Sequence, residues 1–186
     1  MWVAPCVLAV AACDKREPAG EPAGRVNGAK TEARRATTPA AFCDVHPTAI
    51  GAPAFAWPAL DATAPPATAG KWRWINVWAT WCKPCLEEMP RLVRWRDKLG
   101  LDLVFVSVDE SAAVIETFRK DHPATPPSLR LADPEQANTW FSQLGLEGNP
   151  PIPIHLFVDP AGKVRCARAG GVNEPDLAVI EQLLAE

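Results

Sequence analysis

Leu103–Val108 reads LVFVSV, a nearly continuous apolar run. A strand without a polar face must be covered on both sides, as a central strand of a parallel sheet is. Trp72–Ala79 (WRWINVWA) is β-branched and aromatic and reads as a second strand. Between the two, Leu86, Met89, Leu92, Val93 and Leu99 fall near helical spacing, which predicts a helix over Cys85–Leu99. Helices are also expected over Ser111–Lys120 and Pro134–Leu144. Ile154–Val158 reads as a strand, Asp159–Gly162 as a turn and Lys163–Arg168 as the partner strand of a hairpin. Glu174–Ala185 closes the chain as a helix, with Leu177, Ile180, Leu183 and Leu184 on one side. This order of elements belongs to the α/β class: a central mixed β-sheet flanked by helices.

The remaining composition narrows the choice. A chain of 186 residues suits one domain with a tail, and 48% apolar residues is enough for a real core. The net charge of −3 gives no basic face for nucleic acid. No apolar run reaches the roughly 20 residues that span a bilayer.

Residues 1–12 carry no charge and are almost wholly apolar. At about 1.5 Å per residue, a helix this short cannot cross a membrane. The segment reads as a signal peptide. Small residues Val10-Ala11-Ala12 before Cys13 resemble a lipobox, so lipidation of Cys13 is expected; an ordinary signal cut, giving a soluble periplasmic protein, is the alternative. Residues 13–40 are rich in Ala, Pro, Gly and charge, with too few large apolar side chains to offset ordering entropy. They read as a flexible linker, and residues 41–186 as the folded domain.

Trp81-Cys82-Lys83-Pro84-Cys85 sits where the first strand ends and its helix begins. Backbone N–H groups and the dipole at a helix N-terminus stabilise a thiolate. Cys82 is expected at an exposed first turn with a lowered thiol pKa, and Lys83 adds a positive charge. Cys85, one turn on, can attack a mixed disulfide at Cys82. Pro84 sits where its missing N–H costs little. A zinc half-site and a structural disulfide are the competing readings. A closed zinc site needs four ligands, and no second CxxC is present.

The segment Asn76-Val77-Trp78-Ala79-Thr80-Trp81-Cys82-Lys83-Pro84-Cys85 resembles the active-site segment of the thioredoxin superfamily. Asn76, Thr80 and Glu88-Met89-Pro90 resemble its TlpA/ResA-like group of membrane-anchored thiol–disulfide oxidoreductases. Pro153-Ile154-His155-Leu156-Phe157-Val158-Asp159, followed by Gly162-Lys163-Val164, is similar to a second block of that group. The resemblance implies a thioredoxin-like fold with an N-terminal extension. It also implies an extracytoplasmic protein disulfide reductase without cofactor, lipid-anchored and facing the bacterial periplasm. A membrane thiol carrier would reduce it, and its clients would be exported proteins with disulfides, such as apocytochrome c or copper-site proteins.

Cys82 is then the nucleophile and Cys85 the resolving thiol of a redox disulfide. Glu88, one helical turn after Cys85, is expected to take the Cys85 proton. Pro153 matches a cis-proline that presents the Ile152 backbone to a substrate chain. Trp81, Lys83 and Pro84 border the dithiol and are expected to share that docking surface. His155 departs from the threonine of the resembling pattern and reads as a strand residue with a satisfied hydrogen bond. In the mature chain, without Cys6 of the signal peptide, if Cys13 is lipidated and Cys82 pairs with Cys85, then Cys43 and Cys166 remain, either as a structural disulfide or as two buried thiols. An oxidase or isomerase on the same site is one alternative function. A copper-binding or metal-delivery module using Cys82, Cys85 and His155 is another.

Overall fold

The computed structural model describes Met1, residues 36–48 and residues 50–186. The signal peptide, Cys13 and most of the linker lie outside the described residues. The chain enters through a one-turn helix α1 (Pro39–Phe42), capped by the Thr38 hydroxyl, which accepts from the Ala41 N–H at 3.2 Å. Strand β1 (Arg73–Trp78) leads into helix α2 (Lys83–Leu99), then β2 (Asp102–Ser107) and helix α3 (Ala112–Asp121). A short strand β3 (Ser128–Arg130) precedes helix α4 (Ala137–Gln143), the hairpin β4 (Ile154–Val158) and β5 (Val164–Ala169), and the final helix α5 (Leu177–Leu184).

The five strands lie in the order β3-β2-β1-β4-β5. β1 pairs parallel with β2 and antiparallel with β4, so the sheet is mixed as expected. Every residue of β1 and of β4 is buried, which explains why neither alternates polar with apolar. Their side chains, with Leu92 and Trp95 of α2 and Phe141 of α4, form the core.

Two sequence expectations are refined. Pro134–Leu144 and Glu174–Ala185 each begin as a turn of 3-10 helix, over Pro134–Gln136 and Glu174–Asp176, before the α-helix starts. In each case a proline is present in the first turn, where its lack of an N–H costs little. Strand β3 was not expected. Its three half-buried residues are too few to give a period, and pairing with β2 creates it.

The N-terminal extension covers both edges of the sheet. Val45 and Ala54 bridge to Ala167 and Lys163 on the β5 edge, while Leu60 bridges to Leu131 beyond β3. Unpaired edges invite pairing with other chains, and this strap occupies them. Between the two edges it passes Trp57, over whose ring the Arg73 guanidinium lies at 5.6 Å. Cys43 and Cys166 are joined in a disulfide across a sequence separation of 123 residues. Among the described residues, no helix is long and apolar enough to cross a membrane.

Candidate active site

Helix α2 begins at the end of β1, with Cys82 as its N-cap. Cap geometry turns the Cys82 side chain back over the first turn, where its Sγ accepts from the Cys85 N–H at 3.3 Å. The two sulfurs are bonded to each other. Both cysteines are fully buried in this oxidised form, which corrects the expectation of an exposed Cys82. Trp81 beside them is 44% exposed, the partly open aromatic surface of the site. The Lys83 ammonium is solvent-exposed and lies 3.6 Å from Glu87, one turn along the helix. Pro84 occupies the first turn, and the helix runs on through Pro90 to an αL cap at Gly100.

The loop before Cys82 is anchored by a residue that sequence reasoning missed. Asp109, 2% exposed, accepts from the Thr80 N–H at 3.0 Å and from the hydroxyls of Thr80 and Ser107 at 2.7 Å each. A signal for it existed. Asp109 is the first charged residue after the LVFVSV run, at the C-terminal end of the strand parallel to β1, where sites in α/β sheets gather. Asp109→Ala would leave the buried Ser107 hydroxyl and the Thr80 N–H without this acceptor. The expected loss is about 2–4 kcal/mol in denaturant unfolding, with slower dithiol reaction; Asp109→Asn, which keeps one acceptor oxygen, should fall between.

Glu88 is 2% exposed, unlike the neighbouring Glu87. Its Oε1 accepts from Asn76 Nδ2 at 3.0 Å and its Oε2 from the Val172 N–H at 2.9 Å. Strand and helix periodicities explain the meeting. Trp74 and Asn76, two residues apart, share one face of β1, and Asn76 lies directly opposite His155 of β4. Helix α2 packs over this face: Trp95, seven residues after Glu88, stacks on Trp74 with ring centroids 6.3 Å apart. His155, fully buried, accepts the Trp74 indole N–H at Nδ1 over 3.1 Å. Its Nε2 lies 3.4 Å from Glu88 Oε1, off the line of a good hydrogen bond.

The Ile152–Pro153 peptide is cis, and both residues are buried. The Pro153 carbonyl accepts from the Gly170 N–H at 2.8 Å. A Cβ built on Gly171 would lie 3.4 Å from Glu88 Oε2 and 4.0 Å from Pro153, so this loop joins the carboxylate to the proline. The structure therefore brings Asn76, Glu88, His155 and the Pro153 loop together beneath the dithiol helix. Cys43 and Cys166 stand apart from it, on the strap and β5. No three His, Cys, Asp or Glu side chains gather as a metal site among the described residues.

Comparison with known proteins places this arrangement. The chain is 30% identical over 111 residues to the thiol-disulfide oxidoreductase ResA of Geobacillus thermodenitrificans, covering 58% of this chain and 60% of that protein. It is 32% identical over 99 residues to the ResA of Oceanobacillus iheyensis, covering 51% and 47%. The chain thus spans about half to three fifths of the curated relatives it matches. Among solved structures, a thioredoxin-related protein from Neisseria meningitidis serogroup B aligns with a TM-score of 0.52 and 27% identity, over 64% of this chain and 88% of that one. A profile described as the AhpC/TSA family matches residues 51–167, the stretch that carries the dithiol, Glu88 and the Ile152–Pro153 peptide. With this match, the thioredoxin-like fold and the ResA likeness, the chain belongs to the AhpC/TSA family, among its TlpA/ResA-like members.

Proposed function

We propose that the protein is an extracytoplasmic thiol–disulfide oxidoreductase that works as a protein disulfide reductase. One observation carries the reading: a dithiol caps the N-terminus of α2, with a buried carboxylate one turn behind it. In the reduced form, the Cys82 thiolate attacks a client disulfide and forms a mixed disulfide, releasing one client thiolate. Cys85 gives its proton to Glu88, attacks Cys82 Sγ and releases the second client thiolate. The enzyme is left as the Cys82–Cys85 disulfide, and two electrons have passed to the client. Trp81, Lys83 and Pro84 form the docking surface, and the Ile152–Pro153 peptide, buried in this oxidised form, is the backbone a client chain would meet behind it.

The ResA likeness supports an extracytoplasmic setting. The wider proposal follows from it: Cys13 is lipidated, the domain faces the periplasm on its linker, and a membrane thiol carrier reduces the oxidised form. Clients are exported proteins with disulfides, of the apocytochrome c or copper-site kind. The metal-delivery alternative is disfavoured by His155, whose ring nitrogens face Trp74 and Glu88 rather than an open site.

The test is the reduction potential of the Cys82–Cys85 pair, measured on the full chain by equilibration with dithiothreitol. A value near thioredoxin's, about −270 mV, is expected of a reductase. A value near −120 mV would make the protein an oxidant and overturn the assignment.

A further inference from the structure

We infer that His155 is the positioning residue of Glu88, held in a single tautomer by Trp74. The inference rests on the reductase reading and assigns a role to a residue in which this chain departs from the resembling pattern. An indole N–H can only donate, so His155 Nδ1 must accept and the ring proton sits on Nε2. That N–H faces Glu88 Oε1 at 3.4 Å. Asn76 closes the arrangement. Its Nδ2 donates to Glu88 Oε1 at 3.0 Å and lies 3.4 Å from His155 Nδ1.

The consequence is directional. Oε1 is surrounded by Asn76 and His155 on the sheet side, and Oε2 is tied to the Val172 N–H on the loop side. The carboxylate is fixed at both ends beneath the dithiol helix. The neighbouring guanidiniums hold the adjoining loop by its backbone: Arg91 of α2 donates to the Val172 carbonyl and Arg168 of β5 to the Gly171 carbonyl. His155 is therefore the ring beside Glu88, with its Nε2–H turned toward Oε1 at 3.4 Å and given to no other acceptor among the described residues. Loss of the imidazole should leave Oε1 held by Asn76 alone and slow the step that uses Glu88, the attack of Cys85 on Cys82.

The experiment separates the two thiol steps with Ellman's reagent. The background is the full chain with Cys6→Ser and Cys13→Ser, its Cys82–Cys85 pair reduced and its Cys43–Cys166 bond kept. Cys82 thiolate attacks the reagent disulfide and releases one thionitrobenzoate, in a rate proportional to reagent. Cys85 then attacks the mixed disulfide and releases the second, in a rate independent of it. His155→Phe should leave the first rate within about twofold and slow the second roughly tenfold, the size expected for a lost contact to a charged group. His155→Gln, whose amide can accept from Trp74 and donate to Glu88, should recover most of the second rate. In a Glu88→Gln background, His155→Phe should add nothing.

An unchanged second rate in His155→Phe would overturn the inference. So would an equal slowing of both steps, or a loss that persists in the Glu88→Gln background. Should His155→Phe not fold, His155→Ala carries the same comparison. If the parent protein releases no second thionitrobenzoate, the dithiol reading itself fails, and the outcome is distinct from a failure of the His155 role.

Discussion

Cys85→Ser is expected to stop turnover in an insulin reduction assay while leaving the first thiol reaction intact. The variant keeps Cys82 at the N-cap of α2, so the thiolate still meets the helix N–H groups and still attacks a client disulfide. It lacks the second sulfur needed to release the client. The mixed disulfide should therefore accumulate as a covalent adduct, visible on a non-reducing gel and removed by dithiothreitol. Cys82→Ser should fail at the earlier step and form no adduct. Turnover in both variants should fall by about three orders of magnitude or more, since the two thiols act as a unit. Unchanged turnover in either would defeat the mechanism, and the adduct in one variant alone fixes which cysteine attacks.

Removing the second disulfide should act on stability and spare chemistry. Cys43 is 5% exposed and Cys166 fully buried, and the bond closes a loop of 123 residues. In the chain-entropy model such a closure is worth up to about 4.7 kcal/mol, and loss of native disulfides typically costs about 2–5 kcal/mol. The double variant Cys43→Ala/Cys166→Ala should therefore melt roughly 10 °C lower, at about 2–4 °C per kcal/mol for a domain of this size. The dithiol lies at the far end of β1 from the strap crossing and uses none of these contacts. Its reduction potential should stay where the parent's is. A melting temperature unchanged by the double substitution would show that the strap is held by its hydrogen bonds alone.

The sheet strands were legible where burial is complete. β4 begins and ends where the sequence places it, because Ile154–Val158 is a short buried run bounded by Pro153 and the turn at Asp159. The dithiol was legible because its spacing and its strand-to-helix position are local properties of the chain. Glu88 could be named, but its partners could not. Val172 lies 84 residues away in sequence, and only the packing of α2 beside the loop before α5 brings its N–H to the carboxylate. The Trp74–His155 bond likewise spans 81 residues and depends on antiparallel register between β1 and β4. His155 was expected to be a satisfied strand residue. Its Nδ1 has that bond, from Trp74, but its Nε2 is buried without a hydrogen-bond partner among the described residues and faces Glu88, which no local pattern carries. Asp109 was missed because a single aspartate after a strand looks like an ordinary turn residue until its acceptors are filled.

The strap also sets how the domain would bear a pull from its N-terminal side. Tension arriving through α1 meets the Arg168 hydrogen bond to the Phe42 carbonyl and, one residue on, the disulfide at Cys43. There it passes through a covalent bond into β5 at Cys166, in the interior of a paired hairpin. Downstream contacts at Ala54 and Leu60 are shielded from that load. Drag on a captured client at the opposite end of β1 would travel through the sheet to the same sulfur pair, so the redox end can be tugged without peeling the edges that keep the sheet closed.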